Sequence, residues 1–192
     1  MQIIRTVVFV STALAAAAAP MRPVEAQQPT VKRDVVYVPT RQSVVDGMLK
    51  AAGVTSKDVV YDLGSGDGRI PVTAAKVYGA RAVGIDIDPQ RIAEANENAK
   101  DAGVTDKVTF LNQDLFTADI SEATVVTLYL LPSLNIQLLP KLNKELKPGT
   151  RIVSHSFDMR EQEPGGYEYK PEQSLTIDGS NVYLWTIPIL RK

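Results

Sequence analysis

The run Asp62-Leu63-Gly64-Ser65-Gly66-Asp67-Gly68-Arg69 sets glycines at alternate positions between an apolar stretch and a helical pattern. Loops of that composition lie close against a ligand, because a Cβ at such positions would clash or forbid the dihedrals of a sharp turn. A second acid, Asp86, ends the next apolar run in Val83-Gly84-Ile85-Asp86, 18 positions past Gly68 (86 − 68). A carboxylate there can accept both hydroxyl hydrogens of a ribose, whereas a phosphate on that ribose would be repelled. A ligand-free strand-to-helix turn is the plainer alternative for the loop alone. The strand before it, the helix after it and the second acid together favour a nucleoside cradle.

The glycine pattern also discriminates between nucleosides. A dinucleotide motif wants a third glycine where this chain has Arg69, and Asp67 brings an unwelcome charge beside a pyrophosphate. A nucleoside without phosphate, carrying a sulfonium and an amino acid end, meets no such conflict. S-adenosylmethionine is therefore the expected cofactor, with Asp62 or Asp67 meeting its ammonium group. Each of those aspartates can alternatively be a turn residue or a helix cap. Asp114, in Asn112-Gln113-Asp114-Leu115-Phe116, can accept from an adenine amino group while Leu115 packs against the ring, or serve as an ordinary turn residue.

Three rings complete the candidates. Tyr129, at the end of the fourth apolar run, either orients a methyl acceptor through its hydroxyl or packs; Tyr37 can lie over the cofactor. His155 in the fifth run is either a base or a structural histidine.

These residues need a frame of alternating strands and helices, and the chain has one. Thr40 is expected to cap a helix through about Ala52 that Gly53 stops, its inner face Val44, Val45, Met48 and Leu49. Strands follow at Val59 to Leu63, Ala82 to Asp86, Lys107 to Leu111, Ala123 to Tyr129 and Arg151 to Ser156, all short and apolar as buried parallel strands are. Between them lie a helix from Arg69 to Tyr78, one from the cap Asp88-Pro89 to Ala102, and one capped by Ser133 and kinked or split at Pro140. Two tail strands, around Tyr167 to Ile177 and Val182 to Pro188, should form an antiparallel hairpin through Asp178-Gly179-Ser180-Asn181. The expected fold is a Rossmann-like, doubly wound, mostly parallel seven-stranded sheet with helices on both faces and that hairpin at its end.

The 192 residues suit one such domain, spanning 36–192. A formal net charge of −1 gives no field that favours nucleic acid, and none is expected as a partner. With no cysteine and one histidine, thiolate catalysis, disulfides and a multi-histidine metal site are excluded. Arg5, the apolar run Val7 to Ala19 and Val24-Glu25-Ala26 read as a signal peptide over 1–26 that exports the domain, followed by a linker over 27–35. An uncleaved anchor is the alternative. A mature chain without a membrane span and a monomeric state are expected.

The motif Val60-Tyr61-Asp62-Leu63-Gly64-Ser65-Gly66-Asp67-Gly68-Arg69-Ile70, with Gly84-Ile85-Asp86-Ile87-Asp88-Pro89, Asp114-Leu115-Phe116 and Leu146-Lys147-Pro148-Gly149, resembles the class I S-adenosylmethionine-dependent methyltransferases over nearly all of Val36 to Pro188. More narrowly, Tyr37-Val38-Pro39-Thr40 and the Asp-Leu-aromatic after strand three resemble the small lysine methyltransferases related to the mitochondrial ones that modify the ATP synthase c-ring protein and the adenine nucleotide translocase. The resemblance implies that Asp62, Gly64, Gly66 and Gly68 hold the methionine part, Asp86 the ribose, and Asp114 with Leu115 the adenine, with Ser65 and Ile87 also among the cofactor-binding residues. It places the acceptor over Pro39-Thr40 and Leu128-Tyr129-Leu130-Leu131-Pro132, with Tyr37 and Thr40 adjoining the cofactor. The Asn-Pro-Pro-Tyr sequence of amide and adenine methylases is missing there. The implied reaction is methyl transfer to a protein lysine; a small-molecule methyltransferase and a non-catalytic exported S-adenosylmethionine-binding domain are the alternatives.

Overall fold

Val59-Val60-Tyr61-Asp62-Leu63 carries no residue that needs water except Asp62, and it forms a strand buried at every position, β1 (Val59–Leu63). Burial on both faces is the condition of a central parallel strand. In the computed structural model, which describes residues 37–159 and 169–190, β1 lies in the middle of a seven-stranded sheet. The other strands are β2 (Arg81–Asp86), β3 (Val108–Asn112), β4 (Val125–Leu128), β5 (Arg151–His155), β6 (Gln173–Ile177) and β7 (Ser180–Thr186), in the order β3-β2-β1-β4-β5-β7-β6. The first five pair in parallel, and β7 joins antiparallel between β5 and β6. The chain winds outward from β1 through β2 to β3, then restarts on the other side of β1 with β4. That reversal opens a crevice at the carboxyl ends of β1 and β4, where ligands bind in open α/β sheets.

Helices α1 (Gln42–Ala51), α2 (Arg69–Tyr78) and α3 (Pro89–Ala102) cover one face, burying Val44, Met48, Ala74 and Ala95 against Val60, Ala82 and Val125. Helix α4 (Pro132–Glu145) covers the other with Leu138, Leu139 and Leu142 against Tyr61, Leu63, Val126 and Ile152. The two-residue periodicity of β1 thus feeds two separate cores. The Asp88 carboxylate caps α3 by accepting from Gln90 N at 3.0 Å, with Pro89 in the first turn as expected.

Several local expectations are corrected. Arg41, not Thr40, occupies the cap position of α1 and offers no side-chain bond, because the Thr40 hydroxyl is engaged with His155; Ala52 closes the helix before Gly53. Leu131 precedes α4 and Pro132 opens it, so Ser133 lies inside the helix. Pro140 does not split α4: it sits on the exposed side while Leu138, Leu139 and Leu142 hold the helix to the sheet. The third strand begins one residue later than expected, the fourth is shorter at both ends, and the fifth stops at His155 because Ser156 turns the chain at φ 62°. The hairpin exists, but its turn is the two-residue Asp178-Gly179, both at positive φ, which matches the twist of the flanking strands. The expected signal peptide, 1–26, and linker, 27–35, lie outside the described residues, as do Tyr167 and Glu168 of the expected sixth strand. Among the described residues no helix is long and apolar enough to cross a membrane.

Candidate active site

The loop after β1 is held from the neighbouring strand. Gly64 N and Ser65 N both donate to Ile85 O, at 2.8 and 3.0 Å, and Gly66 N donates to Asp86 Oδ2 at 2.8 Å. Gly64, Gly66 and Gly68 all take positive φ, 87°, 52° and 74°. At Gly66 a side chain would also overlap the Tyr37 ring, and at Gly68 it would meet Phe110 and Ala95. The second glycine therefore makes room for a neighbouring aromatic as well as for the turn.

Asp62 is 3% exposed, and its Oδ1 accepts from Thr127 Oγ1 on β4 at 2.6 Å. Burial, partly offset by that hydrogen bond and reinforced by the charges of Asp86 and Asp67, pushes its carboxyl up to about 7. Asp86 is braced at both oxygens, since Oδ1 accepts from Asp88 N at 2.9 Å while Oδ2 accepts from Gly66.

Asp67 is committed differently from its neighbours. Its oxygens are forked by Arg69, with Nη2 to Oδ2 at 2.5 Å and Nε to Oδ1 at 2.9 Å. Burial raises this carboxyl, but the Arg69 hydrogen bonds and charge outweigh it and hold it below the usual range. Arg69 Nη1 also donates to Thr40 O at 2.7 Å, tying the segment before α1 to the glycine loop. The residue that stands in place of a third glycine is thus a clasp.

A cleft of about 880 Å³ opens between these groups. Of the candidates, Tyr37, Thr40, Asp62, Gly64, Ser65, Asp86, Ile87, Asp114, Leu115 and Tyr129 line it; Gly66, Gly68 and His155 do not. Tyr37 lies over Gly66 with the Arg91 guanidinium 4.7 Å from its ring centroid, half-exposed at the rim. Asp114 forms a turn, Oδ1 accepting from Phe116 N at 2.9 Å, and still faces the cleft. On the far side Tyr129 lies near two rings, its centroid 3.9 Å from that of His155 and 6.1 Å from that of Phe157. His155 is 5% exposed, and burial followed by the charge of Arg41 lowers its pKa.

The family model of the ANTKMT methyltransferase domain matches residues 62–165, which begins at Asp62 of the cradle and runs through β5. The chain belongs to the ANTKMT methyltransferase domain family. A protein-lysine N-methyltransferase of Saccharolobus islandicus (strain REY15A) is 47% identical over 158 residues, 80% of this chain and 94% of that protein. The adenine nucleotide translocase lysine N-methyltransferase of Mus musculus is 38% identical over 106 residues, 55% of this chain and 46% of that relative's length. An RNA methyltransferase from Salinibacter ruber, solved in complex with S-adenosyl-L-homocysteine, is 56% identical with a TM-score of 0.73, covering 79% of this chain and 94% of that one. The protein is an S-adenosylmethionine-dependent methyltransferase.

The cradle of this methyltransferase suits that cofactor on its own evidence. The Ser65 hydroxyl is buried without a hydrogen-bond partner in the described structure, although it stands on the glycine loop and lines the cleft. A buried polar atom left unpaired in a pocket wall is a place for a ligand's polar group. Four of the contributors that sequence reasoning missed are Arg69, Arg91, Leu134 and Phe157. Arg69 was visible only as a departure from a glycine pattern, while Arg91, Leu134 and Phe157 reach the cleft from a helix flank, a helix start and a post-strand turn. Position just past a strand's carboxyl end was the one signal for Phe157, two residues after β5.

Proposed function

We propose that this methyltransferase acts on a lysine amine of a protein. The observation that carries the reading is the charge of the cleft: even with Asp62 left out, because burial pushes its carboxyl up to about 7, Asp67, Asp86, Asp88 and Asp114 outnumber the two cations that line it, Arg69 and Arg91. Both guanidiniums are already paired, Arg69 with Asp67 at 2.5 Å and Arg91 with Glu94 at 2.7 Å. A cationic side chain is drawn to such a mouth, and a phosphodiester backbone is repelled. The names of the Saccharolobus and mouse relatives agree with this reading. The Salinibacter protein favours an RNA acceptor, which is the reading the experiment must separate.

Asp62, Gly64 and Ser65 would hold the methionine part of the cofactor, Asp86 the ribose, and Ile87, Asp114 and Leu115 the adenine. With Asp67 occupied by Arg69, Asp62 is the carboxyl that would meet the ammonium group. S-adenosylmethionine supplies a methyl group on a sulfonium that is open to in-line displacement. The chain's own task is alignment of a deprotonated nitrogen. Leu130, Leu131 and Leu134 give the mouth an apolar wall, which lowers an amine's pKa by desolvation, and the Tyr129 hydroxyl would orient the nitrogen.

Methyl-labelled S-adenosylmethionine offered with protein and RNA fractions tests the reading. Label should enter lysine and disappear with Asp86→Ala or Gly66→Arg, and Tyr129→Phe should lower turnover about tenfold or more. Label in RNA and none in protein overturns it. We further propose that residues 1–26 direct export and that the domain acts as a monomer. An exported enzyme meets the cofactor only where it is supplied, so cell fractionation and activity belong in one experiment.

A further inference from the structure

We propose that His155 is a positioning residue that sets the Tyr129 ring at the acceptor wall and ties it to the segment over the cofactor loop. The imidazole is 5% exposed and is not among the residues that line the cleft, which favours a part played through its neighbours over direct proton transfer. Its two sides are occupied by groups that do line the cleft. Nδ1 shares a 3.1 Å hydrogen bond with Thr40 Oγ1, and the ring stands 3.9 Å from the Tyr129 ring, centroid to centroid, tilted by 35°.

Thr40 extends the link. Its hydroxyl meets His155 while its carbonyl accepts from Arg69 Nη1, and Arg69 forks Asp67 in the glycine loop. A continuous path Asp67–Arg69–Thr40–His155–Tyr129 therefore runs from the cofactor side to the acceptor side. Thr40 is itself buried, so a lost partner leaves an unsatisfied hydroxyl that must shift to find another. Phe157 also stands near Tyr129, 6.1 Å between ring centroids, and its own carbonyl is pinned by Ser154 Oγ at 2.6 Å and by Asn135 Nδ2 at 3.4 Å. Of the two rings near Tyr129, His155 is the one whose side chain hydrogen-bonds the segment over the cofactor loop. A neutral imidazole suits both duties, and burial, followed by the charge of Arg41, lowers its pKa and favours the uncharged form.

The inference rests on Tyr129 facing an acceptor and holds whatever that acceptor is. Two variants divide the duties: His155→Phe keeps the ring and loses the bond to Thr40, whereas His155→Asn keeps a polar group near the Nδ1 position and loses the ring. S-adenosylhomocysteine affinity by calorimetry reads the cofactor side. The Tyr129 signal in carbon-labelled tyrosine spectra, assigned with Tyr129→Phe, reads the acceptor side. His155→Phe should weaken S-adenosylhomocysteine about fivefold and leave the Tyr129 signal near its native position, as one hydrogen bond is lost. His155→Asn should hold affinity within about twofold and move that signal toward its solvent-exposed value. Thr40→Val, a milder change, should reproduce the affinity loss of His155→Phe. Native affinity and a native Tyr129 signal in both variants, or equal damage to both readouts in each, overturns the proposal. Neither readout needs an acceptor, so label entering RNA would sink the lysine reading and leave this test intact.

Discussion

Thr127 Oγ1 on β4 donates a 2.6 Å hydrogen bond to Asp62 Oδ1 on β1, so the acid near the tip of the first strand is braced by the parallel strand at which the winding of the sheet reverses. The crevice and its deepest carboxyl are consequences of the same strand pairing.

Asp62 should make the protein less stable as pH rises. Its folded pKa, about 7, lies above its ordinary 3.8. Between those values the folded chain keeps a proton that the unfolded chain has lost, so this contribution is complete below the lower value and gone above the upper one. Melting temperatures from pH 5 to 8 should fall less steeply in Asp62→Asn than in the native protein. The variant should also lose tenfold or more in S-adenosylhomocysteine affinity, on the order of 1.4 kcal/mol. Equal slopes in the two proteins would remove the assigned protonation.

Gly66→Ala should fail for two separable reasons. An alanine at φ 52° is strained by about 1–2 kcal/mol, and its methyl overlaps the Tyr37 ring. Adding Tyr37→Ala should relieve the overlap and leave the strain. Denaturant unfolding of the single and double variants measures the difference, and strict additivity would show that the ring had never met the new methyl.

Arg69→Lys should loosen the segment before α1. A lysine keeps the charge but loses the planar fork that grips Asp67 and reaches Thr40 O. Faster hydrogen exchange at Val38, Thr40 and Arg41, with weaker cofactor binding, is the expected result. Native protection there would mean that the clasp is dispensable.

Asp58 is the control at the opposite end of the sheet. It accepts from Thr55 N at 2.8 Å and Thr124 Oγ1 at 2.7 Å and pairs with Arg151. Burial raises its pKa, but the hydrogen bonds from Thr124 and Thr55 and the charge of Arg151 outweigh it, and the net shift is downward. Its contribution is present above pH 3.8 and lost as the pH falls through its lower folded value, the reverse of Asp62. Asp58→Ala should cost about 1–3 kcal/mol, partly screened because Arg151 is 30% exposed, and leave S-adenosylhomocysteine affinity unchanged. A loss of affinity would show that the two ends of the sheet are coupled.

What the sequence determined by itself is local. The alternation of apolar runs with capped helices specified the α/β layers, Asp88-Pro89 the start of α3, and the glycine loop with Asp86 the class of cofactor, because each depends on residues near one another in the chain. Tertiary structure decided the rest. Thr40 finds His155 across 115 positions and Asp62 finds Thr127 across 65, and nothing in the spacing of those residues encodes the encounter. The same holds for β7, whose insertion beside β5 sets the edge of the sheet. A hydroxyl that reads as a helix cap goes instead to an imidazole, since a buried partner brought close by folding competes with the helix end for the same hydrogen bond.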